Sequence, residues 1–157
     1  MGSQSKNNLA YIAGFLDGDG SLMLQIKKRK DGNKLKYRFM ATICFYQDSR
    51  HEKPLFWIKK ILDIGYLSKR KDGISELRIN GFKQIEKILN NLLPFIKFKK
   101  TQAKILLKSV IFLQKFDFKE KDLRILVNNI VQIQSENYIS KKKRTKEELL
   151  KILGLTP

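Results

Sequence analysis

Cysteine is nearly absent from this chain: Cys44 stands alone among 157 residues, so no intrachain disulfide can form. Histidine is as scarce, with His51 the single copy, and no Cys/His zinc set can be assembled. Such usage suits a reducing compartment. No uninterrupted apolar run reaches membrane-spanning length, and the polar start "MGSQSKNN" lacks the apolar centre of a secretory signal. Gly2-Ser3 has the form of a cloning remnant. Residues 1–7 are therefore expected to be tag-like or disordered, with residues 8–157 forming one domain. Negative charge is the last scarcity: 15 Asp plus Glu stand against 33 Lys plus Arg, a net +18 that exceeds what solubility requires.

What is present in quantity is apolar. Hydrophobic residues make up 42% of the chain, enough for a sizeable core, and they are interspersed with the charge, which excludes a disordered basic tail. A folded binder of polyanions follows, with nucleic acid as the expected partner. A basic ribosomal protein or a domain seated on anionic lipid would share this composition.

Periodicity divides the chain. Leu9 to Leu16 is an apolar helix too continuous to show a polar face, and is expected to be buried all round. Residues 21 to 29 alternate, with Leu22, Leu24 and Ile26 inward and Ser21, Met23, Gln25, Lys27 and Arg29 outward. A turn at Asp31-Gly32-Asn33 leads to a second strand, with Tyr37, Phe39, Ala41, Ile43 and Phe45 inward and Arg38, Met40, Thr42, Cys44 and Tyr46 outward. A helix opened by Pro54 runs until Gly65. A second hairpin pairs residues 66 to 71 with 75 to 80 and turns Tyr66, Ser68, Arg70, Glu76 and Arg78 outward. Helices follow at 82 to 92, about 100 to 115, about 119 to 135, and after the basic run Lys141 to Arg144. The order predicts an α+β fold, with an antiparallel sheet covered by helices on one face. Its other face, carrying Gln25, Lys27, Arg29, Arg38, Arg70, Glu76 and Arg78, suits a DNA groove, where Arg or Lys reads guanine, Gln adenine and Glu cytosine. A merely solvated sheet face would also be charged.

Asp17 and Asp19 sit at the end of the first helix, where the dipole is already negative and further negative charge is unfavourable by about 0.3–1 kcal/mol per group. A hard divalent cation held by the Asp19 carboxylate and the Gly18 carbonyl would compensate, although a plain Asp-Gly turn would also close a helix here. Ala10, Gly14 and Gly18 recur every four residues, leaving one flank nearly flat for a second copy of the helix.

The stretch "YIAGFLDGDG", Tyr11 to Gly20, resembles the signature of the LAGLIDADG homing endonucleases, and the resemblance extends through both hairpins, "LPFIKFKKTQA" (Leu93 to Ala103) and the helical C-terminal part. Since the chain carries the motif once, the resemblance is to the single-motif, homodimeric members. It implies an αββαββα core with a saddle-shaped sheet and added C-terminal helices. It also implies Mg²⁺-dependent cleavage of both strands of a long pseudo-palindromic duplex, with Mn²⁺ or Ca²⁺ able to occupy the site and Ca²⁺ non-catalytic. The residues matching the family pattern are Asp19 and Gly18 at the metal, Gln47 positioning solvent, and Lys99 near the scissile phosphate. Related enzymes carry Arg or Lys four residues after Gln47; here His51 stands there with Arg50 beside it, and either could serve. Ala10, Ala13, Gly14, Asp17 and Gly18 would line the dimer interface, Asp17 capping the partner's motif helix. DNA contacts would come from the outward residues already named, from Thr42, Cys44, Tyr46, Tyr66 and Ser68, and from Lys141 and Lys142. An intron maturase that binds RNA without cleaving, or a DNA-binding repressor, would account for the charge but leaves the acidic pair and Lys99 without a role. Usage heavy in Lys, Ile, Asn and Phe fits an A/T-rich coding sequence and an organellar intron.

Overall fold

The computed structural model describes residues 5–30, 36–115, 117–137 and 143–157. The expected turn at Asp31-Gly32-Asn33, together with Lys141 and Lys142, lies outside the described residues. Helix α1 (Lys6–Asp19) leads directly into strand β1 (Gly20–Lys28), which pairs with β2 (Tyr37–Asp48). A short 3₁₀ helix (Ser49–His51) and α2 (Lys53–Leu62) precede β3 (Tyr66–Lys69) and β4 (Ile74–Asn80). Then come α3 (Phe82–Leu92), α4 (Lys100–Leu113), α5 (Glu120–Glu136) and α6 (Lys146–Ile152). All sheet pairings are antiparallel, in the order β1-β2-β4-β3.

The α+β expectation holds, and the alternation of β1 shows why. Leu22, Leu24 and Ile26 are buried in the core while Met23, Gln25 and Lys27 point away from it. Each buried Leu or Ile contributes roughly 1.5–3 kcal/mol of hydrophobic stabilisation, and α1, α3, α4 and α5 supply the covering layer. Local chemistry sets the helix ends. Ser5 Oγ accepts from the Asn8 amide at the start of α1, and Thr145 with Glu148 forms a capping box on α6.

Five expectations need correcting. Residues 5–7 are not a loose tail, because Ser5 caps α1 and Lys6 and Asn7 belong to its first turn. Helix α1 is not buried all round: Ile12, Ala13 and Leu16 face the core, whereas Ala10, Tyr11, Gly14, Gly18 and Asp19 are exposed. Small residues make that stripe cheap to leave uncovered, since they carry little apolar area. Helix α2 stops at Leu62 with Asp63 in the left-handed conformation (φ 55°), two residues before Gly65. Gly65 (φ 118°) serves the entry to β3 instead, where a Cβ would lie 2.6 Å from Leu77 Cδ1. Strand β3 ends at Lys69, so Arg70 sits at the turn rather than on the strand. Lastly, Thr42 and Cys44, outward by alternation, are fully buried. Strand β2 is central in the sheet, and larger side chains flank its small ones: Met23 and Asn80 lie opposite Thr42, and Arg78 opposite Cys44.

Candidate nucleic-acid interface and catalytic centre

The C-terminal end of α1 is built around a carboxylate with its hydrogen bonds made. Asp17 accepts from the backbone amides of Lys97 (2.7 Å), Phe98 (3.2 Å) and Lys99 (3.0 Å), which pins the turn before α4 against the motif helix. The Lys99 ammonium donates to the Asp17 carbonyl, placing a cation where the helix dipole is negative. Burial pushes the Lys99 pKa below the ordinary lysine value, against the pull of the Asp17 and Asp19 carboxylates. Asp17 is thus engaged within its own chain by three amides.

Asp19, two residues on, is exposed at the helix end and forms no hydrogen bond or ion pair with any described residue. The Gly18 carbonyl belongs to the last turn of α1, whose carbonyls have no helical partner, and the space beside the Gly18 Cα is open. Exposed carboxylate and carbonyl oxygens are the donors a hard divalent cation takes. Among the described residues no group of three His, Cys, Asp or Glu side chains is assembled to hold a metal ion. One copy of α1 therefore offers part of a coordination shell. Ala10, Gly14 and Gly18 form the exposed flank expected for a second copy; Ala13 does not, being buried against the core.

Gln47 is half-buried near the end of β2, its side-chain oxygen accepting from the Asp48 amide. The two basic residues beyond it differ. Arg50 is held in a two-pronged pair with Asp48 (3.0 and 2.8 Å) although its side chain is 82% exposed, and that pair drives the Asp48 carboxyl well below the usual range. His51 is exposed and makes no such pair. The segment carrying both is tied down by Ser49, whose amide donates to the Gly73 carbonyl and whose hydroxyl meets Ser75, while Ser75 donates to Glu52 (2.6 Å). Lys69 completes this link at 2.9 Å from Glu52, and the Ser75 hydroxyl, then Lys69, lower the Glu52 pKa.

The outer sheet face brings together Gln25, Tyr46, Ser68, Glu76 and Arg78, all half-buried, with Lys27, Arg38, Tyr66 and Arg70 exposed around them. Arg29 lies just past β1, its amide bonded to the Lys36 carbonyl. Tyr46 and Ser21 share a hydrogen bond (3.0 Å) across β1 and β2. Thr42 cannot reach a ligand, since it is buried with its hydroxyl on Asn80 (2.8 Å). Cys44 is closed off as well, and burial raises its thiol pKa. Beyond the end of β1, Lys27, Arg29, Lys36, Arg144 and Lys151 line a basic cleft against α5 and α6, where Arg144 donates to the Ile26 carbonyl (3.0 Å).

Two features were not read from the sequence. Phe98, 84% exposed, projects from the turn that Asp17 pins, and an aromatic flanked by lysines in "FIKFKK" was its only signal. Tyr11 is 53% exposed and packs edge-on against Trp57, beside Asn7, Asn8, Lys53 and Pro54.

The comparisons agree with this layout. DNA endonuclease I-CvuI of Chlorella vulgaris is 37% identical over 64% of this chain and 62% of its own length. DNA endonuclease I-CreI of Chlamydomonas reinhardtii is 32% identical over 68% of this chain and 64% of its own length. The sequence match thus spans less than two thirds of either curated relative. A crystal structure of I-CvuI bound to the I-CreI target in the presence of Mg superposes with a TM-score of 0.80 at 29% identity, covering 95% of this chain and 94% of that one. Another has I-CvuI with its own target in the presence of Ca. Residues 12–106, more than half of the sequence and including the α1 end and the whole sheet, match the LAGLIDADG endonuclease family, and the chain belongs to it.

Proposed function

We propose that two copies of this chain pair through α1 and hydrolyse one phosphodiester on each strand of a long pseudo-palindromic DNA duplex. The observation that carries this reading is the juxtaposition at the α1 end: an exposed Asp19 carboxylate whose charge acts on the Lys99 ammonium, in a chain dominated by positive charge. A repressor or a non-cleaving intron maturase has no use for an exposed carboxylate there, because it would repel the phosphates that the rest of the surface attracts.

Asp19 and the Gly18 carbonyl would hold Mg²⁺, which neutralises charge on the phosphodiester and activates water. The chain's own groups do the remainder. Lys99 presents a fixed positive charge where negative charge develops on the phosphate, at no cost of reorganisation during reaction. Asp17 keeps Lys99 in place by immobilising its backbone. Gln47 orients solvent, and His51 or Arg50, the latter on release from Asp48, adds a second cation. The exposed flank of Ala10, Gly14 and Gly18 lets two α1 helices approach so that two Asp19 carboxylates meet, with Tyr11 and Phe98 as the apolar surface beside it. The sheet faces read the duplex, and the cleft beyond β1 grips its backbone. No helix among the described residues is long and apolar enough to cross a membrane, and the residue usage supports an organellar intron as the source.

The test is incubation of wild type and Asp19→Asn with randomised duplexes in Mg²⁺, followed by sequencing of broken ends. Staggered breaks at one long near-palindrome, lost in the variant while binding persists, are expected. Intact duplex with both proteins, accompanied by tight binding of structured intron RNA, would replace cleavage with the maturase reading.

A further inference from the structure

Affinity for a polyanion explains lysines and arginines on the sheet but not Glu76. Its carboxylate is only 12% exposed, on the outer face of β4, where it opposes the phosphate field of a docked duplex. Its neighbours show what it does. The ladder sets Arg78 opposite Cys44 on β2 and Tyr66 on β3, and Glu76 opposite Tyr46 and Ser68. Two residues apart on one strand, Glu76 and Arg78 share a face. Glu76 Oε1 accepts from Arg78 Nη2 at 3.1 Å and from Ser68 Oγ at 3.4 Å. The short, buried Cys44 lies opposite Arg78 on β2.

The arginines of two other pairs are more exposed. Arg70 pairs with Asp72 at the hairpin turn, both half exposed, and the Arg50 side chain beside Asp48 is 82% exposed. Arg78, with 35% of its side chain exposed, has little conformational freedom left to lose on contact. Glu76 occupies one hydrogen of Nη2, so one edge of the guanidinium, formed by the second Nη2 hydrogen and a neighbouring N–H, stays available. That edge offers two parallel donors. In the major groove guanine alone presents two acceptors side by side, N7 and O6, whereas adenine places a donor beside its N7.

We infer that Arg78, oriented by Glu76 and Ser68, reads a guanine in each half of the target, and that Glu76 is a positioning residue for specificity rather than for affinity. This rests on the proposal that the sheet faces duplex DNA. Wild type, Arg78→Gln and Glu76→Gln are each taken through binding selection on randomised duplex in Ca²⁺, with thermal melting to confirm that each is folded. Wild type is expected to prefer guanine at one position per half-site by about five- to 150-fold. Arg78→Gln should move that position to adenine and leave the others unchanged. Glu76→Gln should weaken the guanine preference there without lowering overall affinity. A base-specific profile with no position that follows residue 78 overturns this inference and leaves DNA recognition standing. Loss of base preference throughout, wild type included, overturns both.

Discussion

The turn at the end of α1 and the outer face of the sheet hold their charged groups by different means. At the turn, one carboxylate gathers three backbone amides, so the position of Lys99 is written into the main chain. On the sheet and at its edges, Arg50, Arg70 and Arg78 are each steadied by a neighbouring acid, and of these three Arg78 is the most shielded from solvent. On the function proposed above, chemistry that is the same for every target would sit on the rigid frame, and recognition on side chains that can change without moving the backbone. Substitutions can break this contrast at either end.

The largest effect is expected at Asp17. Asp17→Ala leaves three amides without an acceptor, and hydrogen bonds to a charged group contribute about 1.5–3 kcal/mol each when well shielded. Partial exposure of this turn brings the expected total to roughly 3 kcal/mol, read as a lower urea midpoint, with cleavage lost as Lys99 comes free. Asp17→Asn keeps one carbonyl acceptor and should fall between. Retention of full stability by Asp17→Ala would mean that the turn is held by the packing of Phe95 and Ile96 instead.

Lys99→Met should leave the fold intact and lower the cleavage rate by about 10²–10³, with duplex binding weakened only slightly. Its pH dependence sharpens the point. Burial lowers the Lys99 pKa, so the charge that catalysis needs is lost as pH rises through a value below the ordinary 10.5. The linkage has the same origin: between the folded and unfolded values the unfolded chain holds more protons, and stability rises with pH across that window. The alkaline limb of the rate profile should therefore lie below 10.5 in wild type and move upward in Lys99→Arg.

Glu52 tests the link between the sheet and the 3₁₀ segment. Its pKa is lowered, by the Ser75 hydroxyl first and by Lys69 second. The stability it contributes is complete above the unfolded value near 4.5 and is lost as pH falls through the lower folded value. Glu52→Gln should flatten that acid limb and leave neutral-pH cleavage nearly unchanged. A large loss of cleavage would instead make the Ser49–Ser75–Glu52 chain a support for His51 or Arg50.

Much of this contrast was legible in the sequence, for reasons of range. Alternation in residues 21 to 28 and helical spacing in residues 82 to 92 are local, and β1 and α3 follow them. The "DGDG" run exposed the anomaly of two carboxylates at a helix end. Which of the two stays available is a long-range matter, since the amides that occupy Asp17 lie 80 to 82 residues away. The uncovered stripe on α1 was read for its small residues at Ala10, Gly14 and Gly18. Ala13 was misplaced because only the core shows which flank is inward.

Cys44 marks the limit of alternation as a guide and should give the smallest effect. Its position in β2 points outward, yet its thiol is shut in beside the larger Tyr46 and Arg78, the latter its ladder partner on β4. A strand pattern reports direction and not height: a short side chain beside taller ones faces outward without being reached. Cys44→Ala should therefore cost about 1 kcal/mol in stability and leave the base-preference profile as it was. The native thiol, its pKa raised by burial, should also resist alkylation at neutral pH until the protein is unfolded. Fast alkylation of the native protein, or a shift in base preference on removing the thiol, would show that the sheet face opens enough to bring Cys44 to the groove. Arg78 would then share its position in the reading with the residue beneath it.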